Sequence, residues 1–584
     1  MKNSSLKPLV FVMLAAVLFS GCAGLQKMKK NADKIQYKVT PEVLEAHSGK
    51  VDIAIDGKFP SKYFNKKATL VATPVLKYDG GQTTFDAVTA QGEKVQANNK
   101  VISYSSGGSF AYKNGVAFTP PMGKSELFMN VTASKGSKSV DFTPVKIANG
   151  VIATSELVAN YPKAILGVRR EANNTGKYDP NIDPFQRIVP DEMIADIHYL
   201  INKANLQKDE IEADDVKALE AYTKTANEDE RIDLKRVEVS AYASPDGSID
   251  LNTELAAARK SSSSEFLAKK LKEAGVKIEL KTKYTPEDWD GFREMMEKSN
   301  IQDKELILRV LSMYNDPEVR EREIKNLSEA FTAVAEDVLP KLRRAKMATS
   351  VELIGKTDEE LKALAKSDPA SLNPAELLYA ATLFEDLSEQ LSIYNSFIRI
   401  YPNDWRGPNN AGYVMVKQMK YAEAKPMFVK AETLKNDEPV VKNNLGAIAL
   451  FEGDVKKAET LFGGASGAGN EVNYNLGIVS VKQADYDKAV RYFSKDADVN
   501  TALAKILAGD NNGALKDLEA FNREGCYLKE YLKAVIGART AKDNLLFESL
   551  KAACSINPAM KAKAKTDMEF VKYFDNAQFK AIVD

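Results

Sequence analysis

The residue types best suited to holding a small anion lie in the stretch ASPDGSIDLNTELAAAR, residues 243–259. Gly247 permits a tight turn after a strand, and the free amides at the start of the following helix can bind a carboxylate. Arg259, about two turns into that helix, can add a bidentate contact to the same anion. The stretch therefore predicts an anion site centred on Arg259, the alternative being an arginine on a solvated helix face.

Strands and helices alternate over residues 191–356, the region that contains this stretch. Residues 286–340 are mostly helical and interrupt the alternation before the last strand. The pattern indicates a mixed α/β domain with a helical insertion, in which one strand ends at the turn and one helix carries Arg259. Four segments alternate apolar and polar residues as strands do: 196–202, 236–243, 277–284 and 346–355.

The motif resembles the OmpA-like carboxy-terminal domain, whose pattern T-D-x-x-G-x-x-x-x-N-x-x-L-S-x-x-R-A aligns without insertion to A-S-P-D-G-S-I-D-L-N-T-E-L-A-A-A-R-K. That family holds diaminopimelate of peptidoglycan with an Asp and an Arg, and the Asp position here is Ser244. The resemblance therefore leaves two interpretations, a weakened peptidoglycan site or a domain that has kept only the fold. The candidate site residues are Ser244, Asp246, Gly247, Asn252 and Arg259.

Residues 357–584 have helical periodicity and an internal repeat. Glycine, alanine and phenylalanine each recur at offsets of 34 and then 31 residues. The series resembles the tetratricopeptide repeat, whose helix pairs need a small residue where two helices touch and an aromatic side chain in the next layer. The resemblance implies an all-α solenoid with a concave groove for protein partners. The expected packing residues are Gly412, Ala424, Phe428, Gly446, Ala458, Phe462, Gly477, Ala489 and Phe493.

The chain begins with a short apolar segment that ends at a cysteine. Residues 8–19 are too few to span a bilayer comfortably, so residues 1–21 are predicted to be a secretory signal. Ser20-Gly21 before Cys22 resembles the lipobox of bacterial lipoproteins, which implies cleavage before Cys22 and its acylation. The alternative is an ordinary signal peptide followed by an incidental cysteine. A triacylated Cys22 would be a stable membrane anchor.

The residues after the cysteine indicate where the chain lies and how it continues. Residues 22–34 would form the tether, and the absence of an acidic residue in AGLQK favours a periplasm-facing outer-membrane lipoprotein. Residues 35–160 read as short strands separated by turn residues, which predicts an immunoglobulin-like β-sandwich. Residues 161–190 are rich in Asn, Asp and Pro and are predicted to be a linker.

The amino-acid composition and the motifs of the chain argue against several classes of function. The 584 residues contain 81 basic and 81 acidic side chains and no strongly basic segment, so no nucleic-acid partner is indicated. No nucleophile–base pair, phosphate loop or metal-ligand spacing is present in the sequence, so we expect neither an enzyme nor a cofactor or metal. Cys526 and Cys554 either form a disulfide or remain as two buried thiols.

The sequence as a whole predicts a lipid-anchored envelope scaffold. Its OmpA-like domain would lie near peptidoglycan, and its repeat groove would bind envelope proteins. One alternative is a subunit of an outer-membrane assembly, secretion or fimbrial machine without peptidoglycan binding. A second alternative is an envelope enzyme, which would require an acid–base pair in one cleft.

The lipidation prediction is tested by the Cys22→Ser substitution. Because a serine cannot form the thioether to the lipid, we expect the variant to leave the membrane fraction and its mature mass to lack acyl chains. Cell fractionation and intact-mass spectrometry measure both properties. An unchanged membrane fraction and mature mass would contradict the lipoprotein interpretation.

Overall fold

A computed structural model describes most of the chain. The signal sequence 1–21, Cys22 and residues 168–184 of the predicted linker lie outside the described residues. The chain divides into two compact units, one of Met1–Val168 with Asp386–Asp584 and the other of Arg169–Glu385. In the described part, no helix has the length and apolar character needed to cross a membrane. The described ranges are 23–167, 185–301, 304–493 and 497–584, with side chains 328–330 left out.

The first part of the first unit is rich in strands, as predicted for residues 35–160. A helix α1 over residues 23–30 precedes the strands. The strand order is β1-β3-β2-β11-β9-β4-β6-β7, with β8 on β3, β5 on β4 and β10 on β9. The strands are β1 (Gln36–Thr40), β2 (Val43–His47), β3 (Lys50–Phe59), β4 (Thr69–Tyr78), β5 (Gly81–Thr84), β6 (Val88–Gly92), β7 (Lys100–Ile102), β8 (Gly108–Ala117), β9 (Ser125–Lys135), β10 (Lys138–Asp141) and β11 (Val145–Ile152).

Alternating side chains explain how these strands form a core. In β3 and β9 every second residue is buried, which is the two-residue period expected of a strand with one covered face. Ile53, Phe59, Leu127 and Met129 are among the buried residues. The immunoglobulin-like arrangement itself stays a prediction.

The second unit contains a four-stranded mixed sheet in the order β12-β15-β13-β14. β15 is antiparallel to both β12 and β13, whereas β13 and β14 are parallel. Helices α3 and α4 contribute Leu219 and Leu267 to a core shared with Val239 and Met347 of the sheet. The elements are β12 (Ile188–His198), α2 (Lys208–Ile211), α3 (Asp214–Glu228), β13 (Ile232–Tyr242), α4 (Ile249–Glu273), β14 (Leu280–Thr285) and β15 (Arg344–Ile354).

A helical segment separates β14 from β15, close to the predicted bounds of 286–340. Its helices bury Phe292, Met296, Ile307 and Leu311 in a small core of their own. Two further helices of the second unit follow β15. The helices are α5 (Trp289–Lys298), α6 (Lys304–Met313), α7 (Pro317–Lys325), α8 (Ser328–Asp337), α9 (Leu339–Leu342), α10 (Asp358–Ser367) and α11 (Pro374–Thr382).

Two boundaries differ from the sequence prediction. β12 begins at Ile188, inside the predicted linker, because it pairs with β15 along its whole length. Its first five residues are exposed, so they lack the alternation that marks a strand with one covered face. Helices α10 and α11 belong to the second unit, although the repeat region was predicted to begin at residue 357.

The remainder of the first unit is helical, as predicted, and consists of successive helix pairs. Asp454, Asp485 and Asp510 each accept a hydrogen bond from the backbone at the start of the second helix of a pair. The helices are α12 (Leu387–Ile400), α13 (Arg406–Lys417), α14 (Tyr421–Leu434), α15 (Pro439–Phe451), α16 (Val455–Gly463), α17 (Asn470–Lys482), α18 (Tyr486–Tyr492), α19 (Val499–Leu507), α20 (Asn511–Ala520), α21 (Tyr527–Arg539), α22 (Asp543–Ile556), α23 (Ala559–Ala564) and α24 (Ala577–Val583).

Within three pairs, a glycine of the first helix faces a phenylalanine ring of the second. A Cβ atom added at Gly446 would lie 2.6 Å from the ring of Phe462, too close for any side chain. The other two pairs have the same geometry, and all three rings are buried. Ala424, Ala458 and Ala489 are fully buried in the second helices. The corresponding glycine–phenylalanine contacts are Gly412 with Phe428 and Gly477 with Phe493.

This contact predicts the effect of Gly446→Leu. The larger side chain forces Phe462 to move, so we expect the free energy of unfolding to fall by about 1–3 kcal/mol. Gly463→Leu is the matched control, because Gly463 is exposed and a Cβ atom there meets nothing within 4 Å. Denaturant unfolding of both variants measures the difference. Equal stability of the two variants would contradict the packing assignment.

Candidate functional site: an asparagine-lined groove that holds an extended segment

The most distinctive polar site of the first unit is formed around residues 158–167. This segment follows a short 3-10 helix, Thr154–Leu157, and has no regular secondary structure. It runs along the first helices of the repeats, so its backbone N–H and C=O groups are removed from water. Such groups need other partners, and here asparagine side chains supply them.

Two asparagines bind the centre of the segment. Each one hydrogen bonds both the backbone N–H and the backbone carbonyl of a single segment residue. The Asn475 side chain accepts from the Lys163 N–H at 2.7 Å and donates to the Lys163 carbonyl at 2.8 Å. Asn444 does the same for Ile165, at 2.7 Å and 2.8 Å. A side-chain amide thus pairs with a backbone amide as a neighbouring strand would.

The same arrangement continues toward both ends. Asn500 pairs with both polar groups of Ala159, at 2.8 Å and 3.0 Å. Asn410 accepts from the Gly167 N–H at 2.7 Å. Residues 163, 165 and 167 alternate along the segment, and alternate residues of an extended chain present their polar groups on the same edge. The asparagines therefore pair with one edge of an extended backbone over residues 163–167, whereas a tight turn, in which the Tyr161 N–H donates to the Ala159 carbonyl at 2.9 Å, precedes this stretch.

The asparagines are also bonded to one another. Asn475 donates to Asn443 at 3.0 Å, Asn443 to Asn444 at 3.1 Å, and Asn444 to Asn409 at 2.8 Å. Asn409 in turn donates to Asn410 at 3.1 Å, and all five side chains are fully buried. A buried polar network of this kind fixes the orientation of the amides that are paired at both ends, since an unpaired group costs free energy. Among the described residues, the Asn410 side-chain nitrogen has no such partner. We call these five residues and Asn500 the asparagine ladder.

The side chains of the segment also contact the repeats, and these contacts depend on which residue stands at each position. The Lys163 ammonium lies 3.7 Å from the centre of the Tyr474 ring, a cation–π distance. Ile165 is buried in the apolar core of the repeats. A Cβ atom at Gly167 would lie 3.0 Å from Asn410 Oδ1 and 3.5 Å from Trp405, so little space remains there.

The strand-rich region anchors the start of the segment. The Ser155 hydroxyl donates to the Ala46 carbonyl at 2.7 Å, and His47 hydrogen bonds the Tyr486 hydroxyl of the repeats. Burial raises the pKa of Tyr486 to about 12, so its hydroxyl stays protonated at neutral pH. Thr154 donates to Glu569, which also pairs with Arg539. The residues before the segment are therefore attached to both the strands and the helices.

Residues 161–167, predicted to begin a linker, thus lie along the first helices of the repeats. The sequence nevertheless contains a signal for this arrangement. Asparagine precedes the packing glycine in NNAG, NNLG and YNLG, and Asn500 follows in the next helix pair. Asparagine has low helix propensity, so its recurrence inside buried helices needs a reason other than packing.

The predicted anion stretch lies in the second unit, where Arg259 is only 1% exposed. Its guanidinium donates to the carbonyls of Lys203 at 3.0 Å, Tyr242 at 2.9 Å and Leu200 at 3.5 Å. Burial lowers the pKa of Arg259 to about 10. In this arrangement Arg259 joins the loop after β12 to the end of β13, and its role toward a ligand stays a prediction.

The other candidate residues of that stretch are bonded to each other. The Ser244 hydroxyl donates to Asp246, and Arg343 contacts both, Ser244 Oγ at 3.3 Å and Asp246 at 3.2 Å. Helix α4 is capped by Ser248, whose hydroxyl accepts a hydrogen bond from the Leu251 N–H at 3.4 Å. Asn252 is buried and donates to the Gly247 carbonyl at 3.1 Å.

The possible metal ligands and the two cysteines lie as follows. Within the described ranges, no group of three or more His, Cys, Asp or Glu side chains is placed to hold a metal ion. Cys526 is half-buried and Cys554 is buried, and both are free thiols. Burial raises the pKa of Cys554, which keeps its thiol protonated at neutral pH.

Comparisons with known proteins find similarity among solved structures only. No protein-family model and no curated protein matches the sequence. The chain is similar to YrrB, a TPR protein with an unusual peptide-binding site, at 20% identity and a TM-score of 0.24, over 30% of this chain and 97% of YrrB. It is similar to a tetratricopeptide repeat protein from Parabacteroides merdae at 18% identity and a TM-score of 0.28, over 42% of this chain and 98% of that protein. It is also similar to pilF of Pseudomonas aeruginosa at 13% identity and a TM-score of 0.25, over 39% of this chain and 98% of pilF.

The ladder predicts the effect of Asn444→Ala. The substitution removes both hydrogen bonds to Ile165 and leaves buried groups unpaired, so we expect a loss of about 1–3 kcal/mol in the free energy of unfolding. Amide exchange at Ile165 should accelerate at the same time. Asn436→Ala is the matched control, because Asn436 is exposed and its side-chain amide donates to the neighbouring Asp437 at 3.3 Å. Unchanged stability and unchanged exchange at Ile165 would contradict the role of the ladder.

Proposed function

We propose that this protein is a lipid-anchored, periplasm-facing envelope scaffold that binds protein partners through its helical repeats and has no catalytic activity. The observation that carries the proposal is the extended segment in the asparagine ladder. A groove that pairs with the backbone of residues 159–167 has the chemistry needed to bind an extended peptide. Recognition through main-chain groups suits a scaffold, because it requires only an extended partner segment.

The placement in the envelope rests on the start of the sequence. Cys22 directly follows Ser20-Gly21 and a short apolar segment, which supports a lipid anchor at the outer membrane. The stretch after Cys22 lacks acidic residues, which supports the periplasmic side. The tetratricopeptide assignment of the repeats rests on their helix pairs and on the glycine–phenylalanine contacts.

The OmpA-like assignment of the second unit rests on its motif and on its strand order. Gly247 lies between β13 and α4, and Asn252 and Arg259 lie within α4, an order of elements that supports the resemblance. The sheet order β12-β15-β13-β14 places the last strand between the first two, with one parallel pair at the edge. We take this arrangement as support for the proposal of an OmpA-like domain that carries an additional helical segment.

Partner binding is tested by affinity purification of the tagged full-length chain from gently solubilised membranes. We expect a reproducible set of envelope proteins to be retained. The Cys22→Ser variant is the control, because a chain released from the membrane should lose those partners while its repeats stay folded. Retention of no envelope protein above this control would contradict the scaffold proposal.

A second candidate function, a scaffold subunit without peptidoglycan binding, is favoured by the contacts of Arg259 and Ser244. The Arg259 guanidinium bonds backbone carbonyls, and the position that would hold an ammonium group is a serine bonded to Asp246 and Arg343. Neither residue is arranged as the complete site of the OmpA-like family would require.

Sedimentation with isolated sacculi distinguishes the two candidate functions. We expect the unmodified chain to bind weakly or not at all, because one charge-assisted contact is missing. Ser244→Asp restores that contact and should raise the affinity by about tenfold to a hundredfold. Ser244→Ala is the matched control and should change little. Tight binding by the unmodified chain, with no effect of Ser244→Asp, would place the ligand elsewhere.

A further inference from the structure

We propose that the groove selects a lysine–x–aliphatic–x–glycine segment, and that residues 159–167 occupy it until a partner segment of that pattern displaces them. The inference rests on the proposed function, since it assumes that the repeats bind protein partners. The occupant is a short extended stretch of another protein. The evidence for its chemistry is the chain's own segment, which occupies the groove with a defined register.

The register follows from the ladder. The N–H groups of Lys163, Ile165 and Gly167 each donate to a different asparagine, so a partner needs residues other than proline at these three positions. Proline is accommodated at position 162, directly before the first of them. It disfavours helix in the residue before it and so helps to keep the segment extended.

Three side-chain positions then restrict the partner sequence. The first needs a cation, because the Lys163 ammonium lies over the face of Tyr474 at 3.7 Å. The second needs an aliphatic side chain that fills the buried place of Ile165. The third favours glycine, because a Cβ atom at Gly167 would be 3.0 Å from Asn410 Oδ1 and a larger side chain would require that amide to shift. The position between the first two is Ala164, which packs against a separate apolar cluster.

Covalent attachment gives the chain's own segment an advantage over a partner. A tethered segment competes at an effective concentration in the millimolar range, so a free peptide of equal affinity should bind the unmodified chain poorly. A substitution that weakens only the tethered segment should open the groove to the same peptide. The affinity of the free peptide therefore reports how firmly the tethered segment occupies the groove.

The test uses a fluorescent peptide with the sequence of residues 157–167, LVANYPKAILG, and the full-length chain. In the Ile165→Asp chain, a buried charge destabilises the tethered segment in the groove. We expect fluorescence anisotropy to show peptide binding at least about tenfold tighter than in the unmodified chain. Tyr161→Asp is the matched control, because Tyr161 is in the same segment but 57% exposed. It should behave like the unmodified chain.

Peptide variants test the pattern, and a groove variant tests the location. We expect peptides with Lys163→Glu, Ile165→Asp or Gly167→Val to bind at least about tenfold more weakly to the Ile165→Asp chain. Adding Asn444→Ala to that chain should weaken binding of the unchanged peptide by about tenfold. Equal binding of all four peptides would overturn the selected pattern.

Other outcomes also decide the proposal. A folded Ile165→Asp chain that binds no peptide would overturn it, and the milder Ile165→Ala chain replaces it if circular dichroism shows unfolding. A variant that forms mixed dimers with the unmodified chain and ignores the peptide would identify a second copy as the occupant, which also overturns it. Peptide binding together with failed purification of envelope partners would refute the proposed function alone.

Discussion

An extended backbone can be buried only if its N–H and C=O groups find partners, and the first unit meets this constraint with asparagine side chains. Each of Asn444, Asn475 and Asn500 pairs with both polar groups of one residue of the segment. The amides bond one another as well, which holds their orientations. Removing the segment would leave a row of buried amides without partners, so segment and groove stabilise each other.

The groove depends on the regular packing of the helix pairs. Glycine at positions such as 412, 446 and 477 lets a phenylalanine of the second helix approach the first helix closely. Asparagine lies two residues before each of these glycines, at 410, 444 and 475. The spacing that packs the helices thus also places the asparagines at regular positions along the segment. The packing residues and the binding residues are two parts of the same repeat.

The sequence predicted the elements far better than the contacts between distant residues. Periodicity identified the helical region, the strands near residues 196, 236, 277 and 346, and the helical insertion before the last strand. It missed the first half of β12, whose residues are exposed and lack alternation. It also assigned residues 161–167 to a linker, because an extended segment bound by side-chain amides has no periodic signature of its own. Arg259 fits its motif, but only the structure reveals its carbonyl contacts.

Partner binding through the repeats depends on whether the chain's own segment occupies the repeat groove in solution. Native-state amide exchange of the unmodified full-length chain tests it most directly, at Ala159, Lys163, Ile165 and Gly167. Their N–H groups are bonded to buried asparagines, so we expect them to exchange as slowly as amides within the repeat helices. Exchange at the rate of an unstructured peptide would contradict the account and would leave the groove open.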